Sequence, residues 1–202
     1  GMALSDLSAA VGLHTSTTHR LLAALVARGY VQKDIESGKY RLTMRLFEVG
    51  SRAVGGMNIV SLARPYLEHL AATTHEAIHL VVRDGDEVVY LYKENMGDST
   101  VRMASFVGLR NPMYCTGVGK AILAFLPEAE KRLIVENTVY EMFTPHTLHT
   151  PQALLADLEL IRNRGYAFDE EEHELGISCI AAPIKNKQGI AYAAISISAP
   201  TS

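Results

Sequence analysis

The sequence predicts an α+β protein in two parts. A winged helix-turn-helix, apparently lacking its first helix, is expected over residues 1–43, and a larger mixed domain over 76–202, with a helical linker over 44–75 between them. Three observations predict it. Residues 4–42 run helix, tight turn, helix, extended piece, turn, extended piece; a Gly55-Gly56 pair interrupts the helical pattern that follows; and the hydrophobic period changes from helical to alternating after His75.

The first helix carries Leu4, Leu7 and Val11 at helical intervals and stops at Gly12. The second starts among hydroxyls (His14, Thr15, Ser16, Thr17) and stops at Gly29. Its Thr18, Leu21, Leu22 and Leu25 fall at i, i+3, i+4 and i+7 and are expected to face the core. Residues 30–33, a turn at Glu36-Ser37-Gly38 and residues 39–42 make a two-stranded wing. In this layout the second helix enters the major groove of DNA. Thr15, Ser16, Thr17 and His19 are the short polar positions that suit a groove floor, and Arg20, Lys39 and Arg41 are placed to reach phosphates. An N-capped helix followed by an ordinary hairpin would show part of the same pattern, because Ser and Thr cap helices anywhere. A winged helix-turn-helix usually has a further helix before these two, so one is expected ahead of Gly1.

Residues 44–54 and 59–74 read as helices, with Leu62, Tyr66, Leu67 and Leu70 as the apolar face of the second and Pro65 kinking it or lying near its start. Alternation at Ile78, Leu80 and Val82, a turn at Asp84-Gly85, and alternation at Val88, Tyr90 and Tyr92 make a hairpin. Residues 101–106 look extended, while 117–126 and 128–137 look helical. Thr150-Pro151 starts a third helix that Gly165 ends. The chain closes with strand, turn, strand over 179–184, 186–189 and 190–198.

Charge divides unevenly. Residues 1–50 hold six Lys/Arg against four Asp/Glu (+2), and residues 51–202 hold thirteen against eighteen (−5), which fits a modestly basic reader beside an acidic partner domain. Two cysteines, Cys115 and Cys179, argue against a disulfide scaffold and for a reducing, cytoplasmic setting. No apolar run approaches the ~18–20 residues of a membrane span, so no membrane partner is expected.

Alternation in the last strand places Tyr192, Ala194, Ser196 and Ser198 on one face and Ala191, Ala193, Ile195 and Ile197 on the other. With the apolar face as core, the two serines line the opposite face, near Ile177, Cys179 and Ala181 of the preceding strand. The start of the 117–126 helix offers backbone N–H groups to a carboxylate. A small anion could sit there, or the serines could face solvent and the glycines merely permit close packing. Two further readings stay open: Cys179 with His173 as nucleophile and base, and a metal sensor using His75 and His79 or His146 and His149. Neither is surrounded by an activating motif or by zinc-ligand spacing, so no catalytic residue, metal or cofactor is expected.

The stretches STTHRLLAALVARGYVQKDIESGKYRL, GVGKAILA, RGYAFDEEEHELGISCIAAPI and ISISAP, in this order, resemble an IclR-type transcriptional regulator over nearly the whole chain. The resemblance implies a C-terminal GAF/PAS-like effector domain, operator DNA as partner, and a homodimer or tetramer. It implies an effector site built from Met103, Asn111, Gly117, Val118, Asp169, Ile177, Cys179, Ser196 and Ser198, taking a small keto, hydroxy or sugar acid. Asn111 departs from the aliphatic residue of glyoxylate- and pyruvate-responsive members and so implies a more hydroxylated or larger effector.

Overall fold

A computed structural model describes residues 1–55, 59–94 and 105–201. The chain divides into two compact units, 1–58 and 59–202.

In the first unit, α1 (Leu4–Ala10) and α2 (Thr15–Ala27) are followed by the antiparallel pair β1 (Val31–Lys33) and β2 (Tyr40–Leu42), then α3 (Met44–Gly55). Hydrogen bonds fix the turns. Ser8, buried on α1, donates from Oγ to Leu13 O at 2.7 Å and pairs with Thr18 Oγ1 of α2 at 3.3 Å, joining the two helices through the turn. At the wing tip Asp34 Oδ1 accepts from Ser37 N–H at 2.8 Å and Ser37 Oγ at 2.7 Å, and Gly38 takes a φ of +66° that side chains disfavour. These two bonds hold the Asp34 carboxyl below its usual range.

The small core is Leu22, Val31 and Tyr40, with Leu4 and Leu7 packed on it. The expected inward face of α2 is only half right. Thr18 and Leu22 are buried, whereas Leu21 and Leu25 are exposed. Together with Leu7, Val11 and Leu13 they line an open apolar groove of about 590 Å³. Apolar spacing identified the stripe, but only two of its four positions have protein above them.

The second unit is a six-stranded antiparallel sheet in the order β5-β4-β3-β8-β7-β6, built from β3 (Ala77–Asp84), β4 (Glu87–Glu94), β5 (Arg110–Pro112), β6 (Ala167–Glu170), β7 (Ile177–Lys185) and β8 (Ala191–Pro200). Its helices are α4 (Ile59–Thr74), α5 (Gly117–Leu123), α6 (Glu128–Asn137) and α7 (Pro151–Arg164). α4 covers one face through Leu67, Ala71 and the half-buried Leu70, against Ile78, Leu80, Tyr92, Ile195 and Ile197. Pro65 lies inside this helix. Leu62 and Tyr66, expected on the apolar face, are 64% and 72% exposed, because α4 is apolar on more than one side and the sheet takes the Ala63–Leu67–Leu70–Ala71 side.

The opposite face carries the larger core, with α5 packed over the sheet residues Val81, Val88, Ala181, Ala191 and Ala194 and α7 packed on α5. Membership of Ala191 in that core corrects the simple alternation expected for the last strand. Between β7 and β8 the register shifts: Ile184 pairs with Ala193 but Lys185 with Ala191, so Tyr192 is an inserted residue. The bulge turns Ala191 to the same face as Ala194 and leaves Tyr192 46% exposed. Residues 101–104 of the expected 101–106 strand lie outside the described residues.

Candidate functional site

Strand register builds a polar floor under α5. Asp169 of β6 pairs with Cys179 of β7, which pairs with Ser198 of β8; one row along, Ala181 pairs with Ser196, which pairs with His79 of β3. Side chains directly opposite in adjacent strands share a face, so residues 79, 169, 179, 196 and 198 converge although 119 positions separate the outermost pair, as in the contact of Ser198 with His79. Above and beside this floor stand Thr116, Gly117 and Val118 at the start of α5, Asn111 of β5, Tyr90 of β4, Ser105, Leu109, His173 and Glu174 from the segment joining β6 to β7, and Ile177 at the start of β7. They line a cavity of about 70 Å³. Asn111, Gly117, Val118, Asp169, Ile177, Cys179, Ser196 and Ser198 all line it, and Met103 lies outside the described residues.

The two glycines of the Gly117-Val118-Gly119 run serve different ends. A Cβ on Gly119 would stand 2.4 Å from Met113 Cα and O, so this position must be glycine for α5 to approach the preceding backbone. A Cβ on Gly117 would instead meet the Cβ atoms of Asp169 at 3.3 Å and Ala181 at 3.5 Å, toward the cavity. The helix start is also less open than its sequence suggests, for the Gly119 N–H donates to the capping Thr116 Oγ1 at 3.2 Å.

Charge around the cavity is dominated by acids. Burial raises the Asp169 carboxyl, against hydrogen bonds from the Glu172 N–H (2.8 Å) and the Gly117 N–H and the field of Lys120. Behind Asp169, the fully buried Lys120 ammonium is gripped by Asp157 at 2.7 Å and by Glu172. Burial pushes Glu172 up to about 7 in spite of that ammonium, with Asp169 and Asp157 adding to the rise. Its Oε2 is buried and has no hydrogen-bond partner among the described residues. The segment carrying these groups is held in turn by Thr144 and Thr147, whose hydroxyls donate to Glu171 O and Glu172 O at 2.6 Å each. Among the described residues, no Lys or Arg lines the cavity.

Burial also decides the cysteine and histidine chemistry. Cys179 is pushed up to about 12, and the nearby Asp169 adds to the rise. A nucleophilic cysteine needs the opposite shift, and burial depresses His173 as well. Among the described residues, no group of three or more His, Cys, Asp or Glu side chains is placed to hold a metal ion. His79, paired on paper with His75, is instead inside the cavity, and burial lowers it to about 4. Sequence reasoning missed it as a cavity residue, along with Tyr90, Ser105, Leu109, Thr116, His173 and Glu174. Only its place in the alternating Ile78–Val82 stretch, opposite Ser196, could have signalled it.

In the first unit Thr15, Ser16, His19 and Arg20 are exposed at the start of α2 and Thr17 is half-buried. His14 caps the helix: its Nδ1 accepts from the Ser16 N–H at 3.4 Å and stands 2.9 Å from Ser16 Oγ. Lys39 and Arg41 are exposed on the wing, Arg41 opposite Gln32.

Both parts of the chain match known sequence profiles. Residues 1–34 match the IclR helix-turn-helix domain, and residues 51–202 match the bacterial transcriptional regulator IclR C-terminal domain. The chain belongs to the IclR family. It is 39% identical over 199 residues to the HTH-type transcriptional regulator KdgR of Escherichia coli K12, an alignment covering 98% of this chain and 75% of that protein. XynR of the same organism is 40% identical over 199 residues, covering 98% and 79%. Among solved structures, an IclR homolog from Microbacterium hydrocarbonoxydans complexed with 4-hydroxybenzoate superposes with a TM-score of 0.86 at 27% identity, covering 98% of this chain and 81% of that one. The chain is thus a helix-turn-helix transcriptional regulator with an IclR-type effector domain. No helix among its described residues is long and apolar enough to cross a membrane.

Proposed function

We propose that this regulator binds operator DNA through the start of α2 and the wing, and that a small organic acid in the cavity under α5 alters that binding. One observation carries the effector reading: eight residues scattered from 111 to 198 line a single cavity. Its volume of about 70 Å³ is well below the roughly 300–1,000 Å³ of pockets for drug-sized ligands, which favours a compact acid. Neutral donors favour an oxygen-rich ligand: Ser196, Ser198, Asn111 and Tyr90 offer hydroxyl and amide hydrogens, and the Val118 N–H stands at the helix start beside the Gly117 N–H that Asp169 engages. Asp169 suits a ligand hydroxyl, because a carboxylate accepts from O–H and repels a second anion. The 4-hydroxybenzoate held by the Microbacterium relative combines a carboxylate with a hydroxyl in the same way.

On the DNA side, Thr15, Ser16, Thr17 and His19 read base edges, and Arg20, Lys39 and Arg41 hold phosphates. The regulator works in the cytoplasm as a homodimer or tetramer, since a two-fold protein matches two half-sites.

The test couples the two sites. Thermal-shift screening of short keto, hydroxy and sugar acids selects a ligand, and calorimetry then compares wild type with Ser196→Ala and Ser198→Ala. Loss of one buried hydrogen bond should weaken binding by about five- to 150-fold. Arg20→Ala and Lys39→Ala should weaken binding to all duplexes and flatten the salt slope by about one each. Unchanged affinity in both serine variants would place the ligand elsewhere. A DNA affinity indifferent to Arg20 and Lys39 would remove α2 and the wing from the interface.

A further inference from the structure

His79 lies at the β3 end of the polar floor and is 3% exposed. Its Nε2 is 2.9 Å from Ser105 Oγ, and its Nδ1 is 3.4 Å from both Ser196 Oγ and Ser198 Oγ. The Tyr90 ring packs edge-on against it, centroids 5.3 Å apart, and fixes the imidazole plane. Ser105 is anchored in turn, since Lys93 Nζ donates to its carbonyl oxygen at 2.7 Å. Burial, helped by the Lys93 charge, keeps the ring neutral at physiological pH.

A neutral imidazole has one N–H and one acceptor nitrogen, and here all three neighbours are hydroxyls that can play either part. The tautomer therefore decides what the serines can offer a ligand. With the proton on Nε2, Nδ1 is a single in-plane lone pair, and one serine must turn its hydroxyl hydrogen down into the floor to meet it. With the proton on Nδ1, the N–H lies between two oxygens at equal distance and both serines accept. Both hydroxyl hydrogens are then free to point up into the cavity, while the Ser105 hydroxyl donates to Nε2. The equal 3.4 Å separations place Nδ1 symmetrically between the two hydroxyls, the arrangement that a shared N–H requires. Cys179, which lies within hydrogen-bonding reach of Ser198, competes poorly for its hydroxyl hydrogen because a thiol sulfur is a weak acceptor.

We propose that His79 is a positioning residue: held as the Nδ1–H tautomer, it makes Ser196 and Ser198 a pair of donors, so that this end of the cavity selects an acceptor-only group, a carboxylate or keto oxygen, over a hydroxyl or a primary amide. This inference rests on the effector reading above and adds the chemistry of the group that the serines receive. It assigns His79 a role in specificity through the hydroxyls.

Two measurements test it. Long-range nitrogen–proton correlation spectra of histidine-labelled protein report the tautomer directly, and the His79 signals, assigned by their loss in the His79→Asn variant, should show a protonated Nδ1 with or without ligand. Calorimetry then uses matched probes: each short-chain 2-keto acid against its 2-hydroxy acid, and each acid against its primary amide. Wild type should prefer the acceptor-only member of at least one pair by about tenfold, the weight of one buried hydrogen bond. His79→Leu should lose that preference, while His79→Asn, whose amide N–H can stand in for Nδ1–H, should keep it. An Nε2–H tautomer, or undiminished preference in a folded His79→Leu protein, would overturn the proposal. Should His79→Leu fail to fold, the spectra and the Asn variant still decide. If wild type binds none of the acids, the effector reading fails, and the tautomer in the ligand-free protein separately settles whether His79 can act as described.

Discussion

The two units hold themselves together by different means. The first buries three apolar side chains, Leu22, Val31 and Tyr40, and leaves an apolar groove of about 590 Å³ open beside them. Its shape depends on short-range hydrogen bonds: Ser8 across the helix turn and Asp34 at the wing tip. The second unit sandwiches its sheet between α4 on one face and α5, backed by α7, on the other, and it can bury even a lysine with two acids. The contrast teaches where each unit is vulnerable. In the first, most substitutions meet open space. In the second they meet backbone or an unpaired charge.

The sharpest break should come at α5. Gly119→Ala places a methyl 2.4 Å from the Met113 backbone, which cannot move aside, so the second unit should lose more than about 4 kcal/mol. Soluble yield and near-ultraviolet circular dichroism from the tyrosines would register this. Gly117→Ala, whose nearest neighbour would be 3.3 Å away, should fold and instead shrink the cavity, so calorimetry with the selected ligand should show weakened binding. Equal behaviour of the two variants would erase the distinction between packing and site glycines.

A smaller effect distinguishes positions within α2. Leu22→Ala should cost about 2–4 kcal/mol in denaturant unfolding of the first unit, because Leu22 is 8% exposed. Leu21→Ala, at 51% exposed, should cost under about 0.5 kcal/mol. A Leu21 cost as large as that of Leu22 would mean that the groove is covered in solution.

The smallest expected effect is a slope against pH in the second unit. His79 falls from 6.5 to about 4 on folding, so its neutral form is favoured; the stability it contributes is present above 6.5 and lost as pH falls toward 4. Glu172 rises from 4.5 to about 7, so its contribution is present below 4.5 and lost as pH rises toward 7. Between 4.5 and 6.5 the two oppose each other. Relative to wild type, His79→Asn should make stability fall more steeply with rising pH in that window, and Glu172→Gln should make it rise, each by up to about 1.4 kcal/mol per pH unit. Melting curves across the window that coincide for all three proteins would refute the assigned directions.

What could be read from sequence was local. α7 was legible from end to end because its signals are adjacent in the chain: Thr150 Oγ1 accepts from the Ala153 N–H at 3.2 Å, Pro151 opens the helix, and Gly165 closes it at a φ of 90°. The short strand β5 carries too few residues to show a period, and β6 scarcely more. The inward side of α4 could not be chosen because Leu62 and Tyr66 are as apolar as the residues that the sheet took. The candidate cavity was legible where family resemblance supplied positions. His79 escaped because its meaning lies in a neighbour, Ser196, 117 residues away.

The bulge at Tyr192 has a consequence for how this chain tolerates change. Side chains on a strand obey parity, and the serines face the cavity only if an even number of steps separates them from a residue already fixed there. Ala191 and Ser196 both face α5 although they are five positions apart, an odd count that the inserted Tyr192 makes permissible. Deleting Tyr192 would make the separation four, an even count that keeps Ala191 and both serines on that face without a bulge. Losing the bulge at unchanged length would instead turn either Ala191 out of the core or both serines toward α4. What the site requires between Ala191 and Ser198 is therefore parity rather than length: an odd separation works with the bulge, and an even one works without it.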